Sequence, residues 1–349
     1  MRIMIVTDAW FPQTNGVVNT LAQTGAWLGR FGHEVRMVTP RDFRTVPCPT
    51  YGEIRLSIFP YRGMASRIAA FQPHAIHIAT EGPLGLAARR YCIRKGLRFT
   101  TSYHTQFPQY LRSRLPIPMA ASYYALARFH GAGTHCMVST QTVESQLAGR
   151  GFKNLVRWRR GVDTELFRPR SKDFLDLPRP IAAYVGRVAI EKNVNAFLSM
   201  PWSGSKIVIG DGPERAKLQA QFPDATYAGF RFGEELAKYV AAADILVFPS
   251  LTDTFGLVNL EAMACGVPVA AFPVTGPIDV VEDGVTGALD FDLGRAAVRA
   301  LSIDPHACRT HAVRSSWDAC TREFESNLVA ACPHTVRAEP ITSSKKSFA

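Results

Sequence analysis

The sequence is short of three things, and each shortage removes a class of protein. It has no uninterrupted apolar run of membrane-spanning length. The longest uncharged apolar run, between Glu261 and Asp279, is broken by Gly266, Pro268, Pro273, Gly276 and Pro277, so no segment is expected to cross a bilayer. Its opening, MRIMIVTDAW, lacks the long apolar region of a signal peptide and reads as a first β-strand. Its seven cysteines (48, 92, 136, 265, 308, 320, 332) form no Cys-x-x-Cys pair and no metal-ligand spacing. An odd, scattered set of this kind points to reduced thiols in a cytosolic compartment. His74 and His77 lie close together, but in the strand-like AIHIA they read as packing or hydrogen-bonding residues, and no metal site is expected.

The third shortage is of acid in one half. Residues 1–165 hold 21 Lys+Arg against 8 Asp+Glu, a net of +13, whereas residues 166–349 hold 19 against 21. A basic excess confined to one half implies an anionic partner for that half, either nucleic acid or anionic lipid. The sequence carries no zinc module, no aromatic RNA-binding motif and no helix-turn-helix signature, so nucleic acid is not the expected partner.

What is present is a repeat of strand and helix. RIMIVTD (2–8), HEVRMVTP (33–40), AIHIAT, RFTTSYH and CMVST are strand-like runs in the first half. After a proline- and charge-rich stretch, RPRSKDFLDLPRP (168–180), the pattern restarts with IAAYVGR (181–187), KIVIGDG (206–212), ILVFPS (245–250) and VPVAAF (267–272). With 349 residues, two domains are expected. Short apolar runs alternating with helices predict parallel sheets covered on both faces. The predicted organisation is an N-terminal domain over 1–165, a linker over 166–180, a C-terminal domain over 181–315, a C-terminal helix over 316–332 and a disordered tail over 333–349. Ligands in such sheets bind beyond the carboxyl ends of the strands, which makes the cleft between the domains the natural site.

Four strand-end motifs bear on that cleft. Asn15-Gly16-Val17 is ordinary turn chemistry, or else a backbone approaching a phosphate at a helix start. GRVAIEKN (186–193) projects Arg187 and Lys192 from one loop, as a solvated charged face or as a cation pair for a diphosphate. The chain is expected to offer no paired-carboxylate metal motif such as Asp-x-Asp, so a nucleotide enzyme built this way needs such a cation clamp. GDGPE (210–214) is a tight turn. SLTDTFGLVNLEAMACG (250–266) places Asp253 and Glu261 in an apolar setting, with Thr252, Asp253 and Thr254 suited to an N-cap and Gly266 to a C-terminal stop. Eight positions of helix correspond to about 80° of rotation and roughly 12 Å of rise, enough for two carboxylates to hold two parts of one elongated ligand. The plainer alternative makes Asp253 a cap and Glu261 a buried, paired acid. Burying Glu261 without a partner is costly, which favours the ligand reading.

With TDAWFPQTNGVVNTL, SYHTQFPQYL (102–111), GRVAIEKN, GDGPE and SLTDTFGLVNLEAMACGVPV in this order, the chain from Met1 to about residue 330 resembles the retaining glycosyltransferases of family 4. The group it is most similar to contains bacterial and plant glycolipid synthases and GDP-mannose-dependent mannosyltransferases. That resemblance implies the GT-B fold, two Rossmann-like doubly wound α/β domains facing a central cleft. It implies that Glu261 receives the nucleotide ribose and that Asp253, where the family usually has Glu, faces the transferred hexose with the N–H groups around Phe255, Gly256 and Leu257. Arg187 and Lys192 would clamp the diphosphate, Gly16 would let the N-terminal loop close over it, and His104 would stand near the reaction centre. No cofactor or metal is implied. The expected donor is a UDP-hexose or UDP-hexuronate (glucose or glucuronate), with GDP-mannose as the alternative, and the expected acceptor is a membrane lipid, diacylglycerol first. Arg112, Arg114 and Arg128, set among Tyr123, Tyr124 and Phe129, would dock the N-terminal domain on an anionic membrane, making the protein cytoplasmic and peripherally bound to the inner face of the cell membrane.

Overall fold

The computed structural model describes residues 1–13, 15–48, 51–112 and 118–332. Arg114, of the expected membrane-docking residues, and the tail from 333 lie outside them.

Each half of the protein is built on a six-stranded parallel sheet. In the first, Arg2–Val6 lies between Glu34–Val38 and Ala75–Ile78, and the sheet continues through Thr100–Ser102, His135–Val138 and Leu155–Arg157. Ile3, Met4, Ile5 and Val6 are all wholly buried, as expected of a central strand covered by helices on both faces. The second sheet runs Thr226–Tyr227, Ser205–Ile209, Ile181–Val185, Ile245–Phe248, Val269–Ala271, Gly287–Leu289. In chain order that is 3-2-1-4-5-6, the doubly wound dinucleotide-binding order, with the crevice expected where the order reverses, between Ile181–Val185 and Ile245–Phe248. This is a GT-B architecture, as expected.

All nine strand-like runs read from the sequence are strands. The short edge strands Leu155–Arg157, Thr226–Tyr227 and Gly287–Leu289 were not anticipated, and neither was the antiparallel hairpin Thr45–Cys48 with Tyr51–Ser57. Each edge strand has only two or three residues, too few to show a pattern, and the hairpin carries Pro47 at an edge position.

The stretch expected as a linker packs on the C-terminal domain. Phe167 is buried in that domain's core, and Arg170 forms a bidentate pair with Glu234 at 2.6 and 2.9 Å. The C-terminal helix, Trp317–Asn327, crosses back to the N-terminal domain. Its Trp317, Cys320 and Phe324 join Ile3, Ile5, Leu21, Leu28 and Trp158 in one buried cluster. Glu325 pairs with His33 at 2.8 Å, and Glu323 accepts from Arg159 N at 2.7 Å. The last described residues continue the tie, with Ala331 exchanging backbone hydrogen bonds with His74 and Arg98. The chain therefore passes between the domains twice.

Phe324→Ala is expected to destabilise the N-terminal domain by about 3–5 kcal/mol, the usual cost of emptying a large core site. Hydrogen exchange should then rise in the Arg2–Val6 and Ala75–Ile78 strands with little change in Ile181–Val185. Loss of protection confined to the C-terminal sheet would contradict the packing described.

Candidate active site

The crevice of the C-terminal domain is framed by the loops that follow its two inner strands. The first, Gly186–Asn193, ends in a short 3₁₀ turn, Ile190–Lys192. Gly210 must lack a side chain because a Cβ there would overlap the Gly186 carbonyl, so the GRVAIEKN and GDGPE loops are stacked directly on each other. Arg187 is half-buried in this loop, and its carbonyl accepts from Tyr184 Oη at 2.7 Å.

The second loop carries residues 249–256. Asp253 was expected to suit the cap of the following helix, but the helix spans Leu257–Ala264 and its N-cap is Gly256, which donates no side-chain cap. Gly256 has φ +82°, and a Cβ would lie 2.7 Å from Asn259 Nδ2 and 2.8 Å from Phe248 Cζ. Backbone strain and crowding both require glycine here. Asp253 is thus outside the helix, and the rotation-and-rise estimate made for two carboxylates on one helix does not apply. Instead its oxygens lie 2.6 and 2.8 Å from Lys192 Nζ. Two residues read separately from the sequence are joined in one ion pair across the crevice.

Glu261 stays on the helix, one turn beyond Leu257 and on the same face. It is half-buried, and its carboxylate makes no hydrogen bond or ion pair to the other described residues. Burial pushes its carboxyl up to about 7. Among the described residues, no protein group supplies the partner that the sequence argument requires for this carboxylate.

The N-terminal domain closes the other side. Helix Gly16–Arg30 starts at the cleft, with Asn15 Oδ1 accepting from Val17 N and Val18 N at 3.0 Å. A Cβ on Gly16 would touch Leu257 at 3.5 Å, and Leu257 packs into the N-terminal domain's core cluster. The starts of helices Gly16–Arg30 and Leu257–Ala264, each a positive dipole end, therefore meet across the cleft, the first capped by Asn15 and the second without a side-chain cap. Thr254 Oγ1 donates to the His104 carbonyl at 2.7 Å, Ser139 Oγ donates to the Thr254 carbonyl at 3.1 Å, and Gln106 Nε2 reaches the Asp253 carbonyl at 3.4 Å. His104, Asp253, Lys192, Gly256, Leu257 and Gly16 are thereby assembled about one loop. Behind His104 lie Ser102, Trp158 and Arg160, which were not singled out from the sequence. A further one is Asp8, whose carboxylate accepts from Leu84 N at 2.8 Å, Gly85 N at 3.3 Å and Thr80 Oγ1 at 2.8 Å, fixing the start of helix Pro83–Lys95. Burial pushes the Asp8 carboxyl up despite those bonds.

Arg112 and Arg128 are not part of this assembly. Both are exposed on the outer surface of the N-terminal domain. Of the aromatics around them, Tyr123 and Phe129 are buried in their own domain and only Tyr124 faces solvent, at 71% exposure. The helix Met119–His130 is thus mainly an ordinary amphipathic packing element. Contrary to the expectation of none, one Asp-x-Asp triplet occurs, Asp290-Phe291-Asp292, directly after strand Gly287–Leu289. Its acids serve local structure: Asp290 grips the Arg295 guanidinium at 2.6 and 2.7 Å, and Asp292 caps helix Leu293–Ala300. Among the described residues, no group of three or more His, Cys, Asp or Glu side chains could hold a metal ion.

Two family models match the chain: Glycosyltransferase Family 4 over residues 14–166, and Glycosyl transferases group 1 over residues 179–298. The chain is 31% identical to a GDP-mannose-dependent alpha-mannosyltransferase of Mycobacterium tuberculosis, over 83% of each protein. It is 26% identical to the alpha-monoglucosyldiacylglycerol synthase of Streptococcus pneumoniae, over 87% of this chain and 79% of that one. Among solved structures, Anabaena HepE in complex with UDP and glucose superposes with a TM-score of 0.72, at 15% identity, covering 93% of this chain and 98% of that one.

The raised Glu261 carboxyl gives a signed expectation. Between the ordinary value of 4.5 and about 7 the folded protein holds a proton that the unfolded chain has lost, so this group's contribution to stability falls as pH rises through that window. Glu261→Gln should therefore be more stable than the natural protein at pH 8, by on the order of 2–3 kcal/mol, with the difference shrinking towards pH 5. Denaturant unfolding of both proteins at the two pH values checks this, and a pH-independent difference would show that Glu261 titrates normally.

Proposed function

The chain belongs to glycosyltransferase family 4, and from that membership we propose that it moves a hexosyl or hexuronosyl group from a nucleotide sugar to a membrane lipid, with retention of anomeric configuration. The observation that carries the donor site is Glu261: a half-buried carboxylate without a partner among the described residues, one turn into a helix whose first N–H groups have no side-chain cap. A carboxylate so placed accepts from ribose hydroxyls, while the helix N-terminus receives phosphate. Arg187 and Lys192 neutralise the departing diphosphate. Asp253, bound to Lys192 before donor enters, exchanges that contact for the hexose as the lysine turns to phosphate. His104, Phe255, Gly256 and Leu257 line the sugar end, and Gly16 leaves room for the opposing helix start to approach.

Bond breaking at the anomeric carbon develops oxocarbenium character on the sugar and negative charge on the leaving phosphate. Fixed cations and N–H groups that meet that charge, in a cleft closed to water, supply most of the rate enhancement. The acceptor hydroxyl attacks from the face that the diphosphate leaves, and the leaving phosphate takes its proton.

For the substrates, we favour a UDP-hexose or UDP-hexuronate, glucose or glucuronate, and diacylglycerol. The pneumococcal relative, named for a glucosylated diacylglycerol, supports the acceptor. GDP-mannose is the second reading, supported by the mycobacterial relative. A cytoplasmic, membrane-bound position follows from a lipid acceptor. No helix among the described residues is long and apolar enough to cross a membrane, so docking is peripheral. The outer face of helix Pro83–Lys95 supports it: Leu86 and Ile93 are 54% and 51% exposed, and Arg90, Arg94 and Lys95 are exposed beside them. Apolar residues flanked by cations at helical spacing suit an anionic interface better than Met119–His130 does.

A panel of UDP- and GDP-sugars offered with diacylglycerol, with mass analysis of the lipid, tests the reaction. Transfer is expected from one donor and should persist in excess EDTA, since Arg187 and Lys192 provide the charge. Loss in EDTA with rescue by divalent ions would overturn the cation clamp, and hydrolysis without lipid product would overturn the acceptor. Separately, replacing Leu86, Ile93 and Arg94 with Ser should release the protein from anionic vesicles, each lost cation removing on the order of 1 kcal/mol. Binding of the natural protein should fall steeply with salt. Unchanged co-sedimentation of the triple variant would rule out this face.

A further inference from the structure

Arg160 is buried, yet among the described residues it makes no ion pair with a carboxylate. Its Nη1 donates to the Trp158 carbonyl at 2.6 Å and the Arg159 carbonyl at 3.2 Å, and its guanidinium stacks over the Trp158 ring at 4.3 Å. Its Nη2 lies 3.3 Å from His104 Nδ1. A buried cation held by carbonyls, a ring face and a neutral imidazole, with no carboxylate partner among the described residues, is costly to keep, so its contacts merit a functional account.

Arginine can only donate. His104 Nδ1 must therefore accept, and the imidazole proton must sit on Nε2, which lies 2.8 Å from Ser102 Oγ. That hydroxyl is in turn 3.1 Å from His77 Nε2, and His77 Nδ1 is 2.9 Å from Thr100 Oγ1. Both nitrogens of His104 are thus occupied by protein. What the residue offers at the cleft is its backbone carbonyl, which accepts from Thr254 beside Asp253.

We propose that Arg160 is a positioning residue, which pins His104 as a neutral, Nε2-protonated ring so that this histidine holds its peptide carbonyl against the Thr254 loop and transfers no proton. The proposal rests on the donor-site reading above, in which that loop carries the sugar. Protonating His104 would set an Nδ1–H against the N–H groups of Arg160, a clash of donors and of like charges. The other groups around the ring oppose protonation or are neutral. His77, on the adjacent strand, is held near 3 by burial and by Arg160. His130, on helix Met119–His130, keeps its charge against burial through Cys136 and Glu81, near 10, and so repels a second imidazolium. Burial and then Arg160 hold His104 well below the ordinary imidazole range. The acids and cations on neighbouring elements are Glu323, paired to Arg159, and the Lys192–Asp253 pair of the facing loop.

Nitrogen-15 spectra of histidine-labelled protein, assigned with His104→Gln, test this without reference to transfer. His104 of the natural protein is expected to show a bare Nδ1 and a protonated Nε2, unchanged from pH 5.5 to 8.5. In Arg160→Gln the ring should begin to protonate at the acid end of that range, still below the ordinary value of about 6.5 because its burial remains. With it kcat should fall by on the order of 10- to 100-fold while KM for the nucleotide sugar stays within about twofold, as expected when a reacting geometry loosens. The kcat profile should acquire the same inflection. A His104 that titrates in the natural protein, or carries its proton on Nδ1, overturns the proposal, and that measurement needs no change at Arg160. So does an Arg160→Gln protein whose His104 spectrum or kcat is unaltered. Failure of the donor reading would leave the His104 spectrum as described, so the two are separable.

Discussion

The loop of residues 250–256 is the point on which the molecule depends. It leaves the strand Ile245–Phe248 at the place where the strand order of the sheet reverses, and it is gripped from both sides. Lys192 holds its Asp253 carboxylate, and His104, Ser139 and Gln106 hold its backbone and the Thr254 hydroxyl. Gly276 adds a further constraint, since a Cβ there would lie 3.0 Å from the Asp253 carbonyl. The loop is thereby tied to both domains, to the first through His104, Ser139 and Gln106 and to its own through Lys192.

The charge distribution of the chain takes a physical meaning from this arrangement. The N-terminal half brings a net of +13, but the cations nearest the cleft are few and individually placed. Arg160 is buried behind His104, while Arg90, Arg94 and Lys95 face outward on one helix. The excess is therefore divided between a structural cation inside and a surface field outside. Helix N-termini supply the remaining positive potential in the cleft, from backbone groups that no composition records.

Much of this was legible in the sequence. Parallel strands buried on both faces announce themselves as apolar runs, which is why RIMIV and ILVF were read correctly. The residues proposed for the donor side were singled out because they sit in loops directly after such runs, where a doubly wound sheet puts its ligands. Four things were not legible, each because it depends on contacts distant in sequence. Asp253 resembles an N-cap locally, yet Gly256 takes that role and leaves the aspartate for a lysine 61 positions away. Trp317, Cys320 and Phe324 give no sign of belonging to the first domain, because their partners Ile3 and Leu21 lie some 300 residues earlier. Tyr123 and Arg128 share one amphipathic stretch, and only burial shows that the tyrosine faces the core while Leu86 and Ile93 stand exposed on helix Pro83–Lys95. His104 was found and Arg160 was not, since an arginine in RWRRGVD looks like any other basic surface until its burial is seen.

The central claim is that a nucleotide sugar lies across the C-terminal crevice with its ribose on Glu261 and its phosphates between two helix N-termini. A crystal structure with bound nucleoside diphosphate tests it most directly. The account predicts ribose hydroxyls within hydrogen-bond distance of the Glu261 carboxylate, phosphate oxygens on the N–H groups of Gly256 and Leu257, and Lys192 turned from Asp253 towards phosphate. A nucleotide bound in the N-terminal domain, or one that leaves Glu261 untouched and the Lys192–Asp253 pair intact, would contradict it.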